Sequence, residues 1–449
     1  MASCRPFFIE TRAAWIAAGV MLASLWPMSD LAAQSSATPE REPQDAREPR
    51  KPPEEEPPER DVGFRWKGYP SLHLGKGSHI NFRARVQLDV RGSESRVAAD
   101  AADSDFARRR IALEGELAGV VSFEIERELD GENPWRDVYA NYRQFDFFQV
   151  QGGKFKLPFS MDANTGATNL DFVYRSLAAR SLAPGRDRGV MAHGRLVNRI
   201  IRYELGVFDH DGGNARTNNL ERVAGERTVA ARLVLQPFRA SQSVAADMQV
   251  GAAFTSSDVP LGRRSLRGQT TFEETFFDPD LWVQGNRRRT GFELRWRPGP
   301  FSIKSEYLRV TTERLGQSVE DTALSPLLAT GWYVSGTWAL TGEKKSSGLS
   351  SPRRPLLRGG VGAVEVALRF EMLRFGSGSS DGTPSSSGRA EVVEPSDIHV
   401  ATIGANWYLN AWVKIQFNAI RERIGNPRRS TSTLESGSWS PVVRFQFTL

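Results

Sequence analysis

Basic side chains recur at alternate positions along this chain. Arg83 and Arg85 stand in FRARVQLDV with Arg91 just beyond, and Arg108 and Arg110 follow in FARRRIALEGELAG. Lys154 and Lys156 flank Phe155, and Arg175, Arg186 and Arg188 come later. A row of fixed cations can draw in an anion, replace part of its water and hand it on, provided no single site holds it too tightly. The planar guanidinium suits such anion pairing. Neighbouring acids offer another reading. Glu114, Glu116, Glu124, Glu126 and Glu128 also alternate, and crossed charges of this kind can serve only to hold a shape. Covalent chemistry is poorly provided for. The five histidines are scattered, without zinc-ligand spacing. SLAPGRDRGV carries glycine and basic residues but no phosphate-loop pattern. A hydrolase would need a serine meeting a histidine, and His193 and His210 are the only histidines between residues 106 and 212. No catalytic residue, metal, cofactor or nucleic-acid partner is expected.

Strands must position these residues. In FRARVQLDV, Phe82, Ala84, Val86, Leu88 and Val90 share one face and Arg83, Arg85, Gln87 and Asp89 the other. WYVSGTWAL sets Trp332, Val334, Trp338 and Leu340 against Tyr333, Ser335, Thr337 and Ala339. VEVALRFEM sets Val364, Val366, Leu368, Phe370 and Met372 against Glu365, Ala367, Arg369 and Glu371, and FELRW sets Phe292, Leu294 and Trp296 against Glu293 and Arg295. TIGANWYLNAWVKIQFNAI reads as a hairpin turning near Asn410, with Trp407 and Trp412 close to the turn, as in the aromatic girdle at a membrane interface. The chain closes on VVRFQFTL, where Val443, Phe445, Phe447 and Leu449 alternate with Arg444, Gln446 and Thr448. A terminus inside a strand makes sense if that strand closes a barrel, because an open edge cannot stand in lipid.

Compartment and class follow from composition. Residues 1–33 carry Arg5 and Arg12, an apolar run from about Ala13 to Trp26, and small residues at Ala32 and Ala33, the pattern of an export signal. The single cysteine, Cys4, lies within it. Residues 34–61 are rich in proline and charge and read as a solvated periplasmic linker. Residues 62–449 form one long block without an apolar run long enough for a spanning helix, and mean hydropathy is −0.42. The chain is +6 overall; residues 1–33 are neutral and residues 34–61 carry −4, which leaves +10 on the block. Half-hydrophobic strands, frequent aromatics and 40 glycines fit either a soluble β-rich binding protein or an outer-membrane barrel. Uneven connections favour the barrel: the turn at Asn410 is tight, whereas SGSGSSDGTPSSSGRAEVVEPSD and TGEKKSSGLSSPRRPLLRGG are long. The block accommodates sixteen strands, and other even counts also fit.

The pieces FARRRIALEGELAG, FEIERELDG, RDVYANY, GGKFKLPFS, YRSLAARSLAPGRDRGVMAHGRL and YELGVFDHDG resemble the phosphate-selective porins of the O and P family. WYVSGTWALTGE, GAVEVALRFEMLRF and GANWYLNAWVKIQFN continue the resemblance in order. It implies an all-β, sixteen-stranded transmembrane antiparallel barrel, usually a homotrimer in outer-membrane lipid, with an inward-folded constriction loop. It also implies passive diffusion of small anions, phosphate or polyphosphate among them, with Lys154 and Lys156 opening the constriction segment and Arg175, Arg186 and Arg188 in or after it. One departure stands out. Where phosphate-binding members carry a lysine in a Thr-Ser-Ser-Lys stretch, this chain has Thr165, Gly166, Ala167 and Thr168. The alternatives are a general low-selectivity porin, a secreted binding protein and an outer-membrane hydrolase.

Overall fold

The computed structural model describes residues 62–449 except 67, 93–102, 132–133, 213–226, 263–265, 278–280, 319, 346–351, 380–383, 386, 426–436 and 438. The export signal and linker expected within residues 1–61, and parts of the loops between strands, lie outside the described residues.

Among the described residues, sixteen antiparallel strands close into a ring. They are β3 (Ser78–Arg91), β4 (Asp103–Leu117), β5 (Val121–Glu128), β6 (Trp135–Tyr142), β7 (Gln149–Lys156), β8 (Arg186–Leu196), β9 (Ile201–Phe208), β10 (Thr228–Leu235), β11 (Gln249–Gly262), β14 (Val283–Trp296), β15 (Phe301–Arg314), β16 (Leu324–Ala339), β17 (Ala363–Ser377), β18 (Ser396–Tyr408), β19 (Val413–Ile424) and β20 (Trp439–Thr448). Each pairs with the next, and β20 pairs back onto β3, with Phe445 opposite Leu88 and Arg444 opposite Asp89. The C-terminal strand is therefore the closing seam. A preceding hairpin, β1 (Val62–Trp66) and β2 (Pro70–Gly75), continues the wall beside the start of β3 and is tied to the β18–β19 turn by Trp412 Nε1 donating to Gly68 O at 2.7 Å. A two-stranded ribbon, β12 (Gly268–Gln269) and β13 (Thr275–Phe277), lies in the β11–β14 loop.

The alternation read from the sequence is the wall itself. Phe82, Phe292, Val334, Trp338, Phe370, Ile403, Phe417, Phe445 and Phe447 are exposed on the outside, while Gln87, Asp89, Glu365, Arg369, Asn406, Gln416 and Arg444 are buried inside. Apolar outside and polar inside is the inverse of a soluble fold, and it is what a wall standing in lipid requires.

Connections sort by end, except that the longer segments 236–248 and 340–362 lie on the tight-turn side. The tight turns 118–120, 197–200, 297–300 and 409–412 share an end, and longer loops occupy the other. The long segment 340–362, read from the sequence as a loop of the long-loop end, joins β16 to β17 at the tight-turn end. The turn side is the periplasmic one and the loop side the outer one.

Two loops pack against inward-facing side chains. Segment 157–185, between β7 and β8, carries short helices Met161–Asn164 and Leu177–Leu182, each capped by a serine hydroxyl, Ser160 to Ala163 N at 3.1 Å and Ser176 to Ala179 N at 3.2 Å. Its Phe159, Val173, Leu177 and Leu182 are almost fully buried among inward residues such as Leu308, Leu373 and Phe375, each burial contributing up to about 1.5–3 kcal/mol. The β11–β14 loop joins this cluster. Phe277 stacks on Phe375 at 4.7 Å, Thr271 N donates to Glu422 at 2.7 Å, and Arg180 of the first segment donates to Thr271 O at 2.7 Å.

Candidate functional site

Segment 157–185 is held along one wall. Met161 N and Asp162 N donate to the Glu306 carboxylate at 2.5 and 2.9 Å, Leu177 N to Glu371 at 2.6 Å and Val173 N to Asn418 at 2.8 Å. The reverse bonds come from Lys414 to Thr168 O (2.9 Å), Asn406 to Asp171 O (2.8 Å), Arg369 to Tyr174 O (2.9 Å) and Arg444 to Val173 O (2.5 Å). Two ammonium groups, Lys304 and Lys345, each lie 2.7 Å from the Asp171 carboxylate. Burial alone would raise the Asp171 pKa, but the two cations outweigh it and hold the carboxyl well below its usual range. Strands β15–β20 with β3 thus form the docking wall.

The opposite wall is open. A cavity of about 700 Å³ lies between the segment and strands β3–β10 and β14–β15. Its lining includes twelve basic residues against four acidic ones, Glu124, Glu126, Asp137 and Glu204. Arg110 reaches Glu126 at 2.9 Å and Arg85 reaches it at 3.1 Å. Arg186 pairs with Asp137 at 2.5 Å, and Arg232 bridges Glu204 (3.1 Å) and Glu293 (2.7 Å). Arg108 Nη1 donates to Gln87 Oε1 at 2.6 Å rather than to an acid. Basic side chains outnumber the acids three to one, so the lining keeps a positive excess.

The ten residues singled out from the sequence separate into groups, Arg108 among those of the lining. Arg85, Arg110, Lys156, Arg175 and Arg186 line the cavity. Lys156 Nζ donates to Ala163 O at 2.7 Å, and Arg175 to Asp162 O and, at 2.6 Å, to Thr165 O. Both cations therefore sit beside the stretch Thr165 to Thr168 that lacks a lysine. Arg83 faces inward but pairs with Glu114 at 3.0 Å over the Tyr69 ring, outside the cavity lining. Arg91 lies by the Tyr174 ring, 5.9 Å from its centroid.

Lys154 and Arg188 correct the expectation. They are cross-strand partners on the outward face, beside Val138 and Val190. Lys154 donates to Trp135 O at 2.7 Å, and Arg188, 61% exposed, approaches Asp209 at 3.9 Å. The inward position between the two lysines belongs to Phe155, which packs edge-on against Phe208 at 5.4 Å. Lys156 ends β7 and turns its ammonium onto the segment's carbonyls. Gly153 fixes this phase: it has φ 134°, and a Cβ there would fall 2.3 Å from Val138 O. The sequence reading did not select Arg180, Arg202, Arg232, Arg295, Arg297 and Lys304 of the lining. The alternation in FELRW already placed Arg295 opposite Phe292, so that signal was present.

A closed sixteen-stranded wall, apolar outside and charged within, defines a porin of the bacterial outer membrane. Residues 80–449 match the model of the family described as phosphate-selective porin O and P. The chain belongs to that family. Over 218 residues it is 25% identical to Porin O of Pseudomonas aeruginosa, a match that covers 47% of this chain and 43% of that protein. It thus spans less than half the length of that relative. Among solved structures, the trimer form of the outer membrane protein OmpT of Vibrio cholerae superposes with TM-score 0.53 at 10% identity, covering 83% of this chain and 100% of the other. An anion-selective porin from Comamonas acidovorans gives 0.51 at 12%, with the same coverage. At these identities the likeness is one of fold.

Proposed function

We propose that this porin conducts small anions in preference to cations, through the passage between segment 157–185 and the wall of β3–β10 and β14–β15. The observation that carries this reading is the lining, with twelve basic side chains against four acidic. In a narrow, partly dehydrated passage, charges act at a lower effective dielectric than in bulk water, so the excess weighs more than the net charge of the chain. In this reading segment 157–185 is the constriction, and Arg85, Arg110, Lys156, Arg175 and Arg186 belong to the path. The family description and the anion-selective neighbour support the same direction. Phosphate-class oxyanions are the proposed finer substrates. Lys156 and Arg175 supply charge where Thr165 to Thr168 carries none, but both are engaged with carbonyls, so phosphate should block the channel weakly. Assembly as a homotrimer, export by residues 1–33 and a linker role for residues 34–61 are further parts of the proposal. The test is a reversal potential across a salt gradient in a planar bilayer. The expected sign is that of an anion-selective channel; a cation-selective or non-selective channel overturns the reading. Titrating phosphate into chloride should lower the current at millimolar levels if oxyanions enter the same path.

A further inference from the structure

The outer face of the barrel is chemically lopsided. On the turn-side parts of β15–β19, outward positions carry Phe301, Trp338, Val366, Trp407 and Ile415. On the loop-side parts of the same wall, outward positions carry arginine: Arg421 of β19, which donates to Gly437 O at 2.9 Å, and three others, Arg309 of β15, Arg374 of β17 and Arg423 of β19. The phase of these three is fixed by neighbours. Arg309 shares a face with exposed Tyr307 and is flanked by buried Leu308 and Val310. Arg374 shares one with exposed Phe370 and is flanked by buried Leu373 and Phe375, and Arg423 lies beside inward-facing Ile424 on the face of exposed Phe417. All three are exposed, and none makes a hydrogen bond, ion pair or ring contact with another described residue.

Register brings them together. Arg309 stands opposite Thr330 of β16, and Thr330 stands opposite Arg374, so the two backbones are about 10 Å apart, twice the strand spacing. Arg374 faces Asp397 across β18, and Arg423 faces His399 of the same strand. Asp397 is already taken by His399, at 3.2 Å. A lipid-facing arginine costs about 2–4 kcal/mol at the bilayer midplane and about 0–1 near the interface. Three without partners on one wall therefore belong at the headgroup level, where long stems lie along apolar surface and the charged ends reach polar groups.

We propose that this patch binds the phosphate groups of a phosphorylated glycolipid in the outer leaflet. The guanidinium fork matches a phosphate bidentately. The patch sits at the loop end alone, so it fits a membrane whose anionic phosphate lies on that side. It shares its face with Tyr307 and Phe370 rather than with the lumen, which assigns lipid-borne phosphate over free phosphate.

The test uses the full-length folded porin in detergent, titrated with diphosphorylated lipid A, with dephosphorylated lipid A and with inorganic phosphate, and read by native mass spectrometry. Near an anionic lipid surface each basic residue is worth a factor of about five, so single changes R309Q, R374Q and R423Q should each weaken diphosphorylated lipid A about fivefold and the triple about a hundredfold. Dephosphorylated lipid A should bind the wild type as poorly as the phosphorylated form binds the triple variant. Inorganic phosphate at equal concentration should not compete. Channel conductance and resistance to unfolding in unheated detergent gels should stay at wild-type values in the variants. Equal binding by the folded triple variant, equal binding of the dephosphorylated lipid, or competition by inorganic phosphate each overturns the proposal. If the triple fails to fold, three singles with wild-type affinity do the same.

Discussion

The two walls of this barrel use the same residue types for opposite ends. On the docking wall, charges are matched, buried and spent on holding segment 157–185: Asp171 with Lys304 and Lys345, Arg444 with Asp89, and Glu306 on two backbone amides. On the open wall, arginines outnumber their acids and border empty space. Residue type therefore does not distinguish a cation that holds the segment from one that borders the cavity; what the side chain faces does. A buried pair that loses one member strands the other in a low dielectric; a lining cation also borders the cavity, so its loss changes the field felt by a passing ion as well.

The largest effect should come from the docking wall at the closing seam. Arg444 Nε and Nη2 each meet an Asp89 carboxylate oxygen at 2.6 Å, and Nη1 donates to Val173 O, so one side chain ties β20 to β3 and to the segment. Arg444→Ala should destabilise the barrel by about 3–5 kcal/mol, because it leaves Asp89 buried and unpaired. The measurement is urea unfolding in lipid vesicles, followed by tryptophan fluorescence. A variant as stable as wild type would mean that the seam pair is not a structural charge, and the distinction between walls would fail there first. Deletion of 442–449 should go further and prevent assembly, seen as loss of the folded band in outer-membrane fractions.

Next comes the open wall. Reversing Arg85 and Arg110 to glutamate places acids beside Glu126 in the cavity lining. The anion-to-cation permeability ratio should fall by about tenfold or more, equivalent to about 1.4 kcal/mol, while the unfolding midpoint moves less than in Arg444→Ala. Reversal potentials and the same urea titration read both numbers on one preparation. A large stability loss with unchanged selectivity would assign these arginines to the structural group.

Much of this was legible in the sequence, because a strand's period of two survives wherever lipid and lumen differ in polarity. Phe82 through Val90, Val364 through Met372 and Val443 through Phe447 all fell on the face read for them. Phase failed at Lys154 because a lysine pair around one phenylalanine fits either face. Only the fold shows Phe155 packing inward with Phe208, and Gly153 imposing that register. Loops carry no period at all. The packing of the β11–β14 loop, with Phe277 against Phe375, and the placement of 340–362 on the turn side had no signal to read. The excess of cations over acids was also hidden, since it arises from strands distant in sequence, such as β4 with β14.

A smaller effect concerns pH on the docking wall. The folded-state pKa of Asp171 is depressed, so its contribution to docking is fully present above the ordinary carboxylate range and is lost as pH falls through the folded value. At neutral pH the segment should be quiet. On acidification below the ordinary carboxylate range, single-channel traces should gain brief current fluctuations as protonated Asp171 releases Lys304, while Lys345 keeps its pair with Glu365 at 2.8 Å. Asp171→Asn should show those fluctuations already at pH 7 and lose this acid dependence. Traces of the variant that match wild type at both pH values would detach Asp171 from the docking of the segment.

The smallest expected effect is also the sharpest test of where the line between walls runs. Lys154 and Arg188 are as basic as their neighbours Lys156 and Arg186, and only one residue, Phe155 or Asp187, separates them in sequence. They differ in the face they occupy: Lys156 and Arg186 line the cavity, and Lys154 and Arg188 stand outside the wall. An outward charge is separated from the lumen by the wall itself, and at the rim it is screened by solvent ions within about 8 Å at physiological salt. Lys154→Gln with Arg188→Gln should therefore leave the reversal potential within experimental error of wild type. Lys156→Gln with Arg186→Gln, the same formal change two residues away in each strand, should shift it toward cations. Both double variants remove two positive charges, so net charge cannot explain a difference between them. If the outer pair moved selectivity as much as the inner pair, the field would be set by the charge of the whole loop end rather than by the lining, and the passage would not select by the cations that border it.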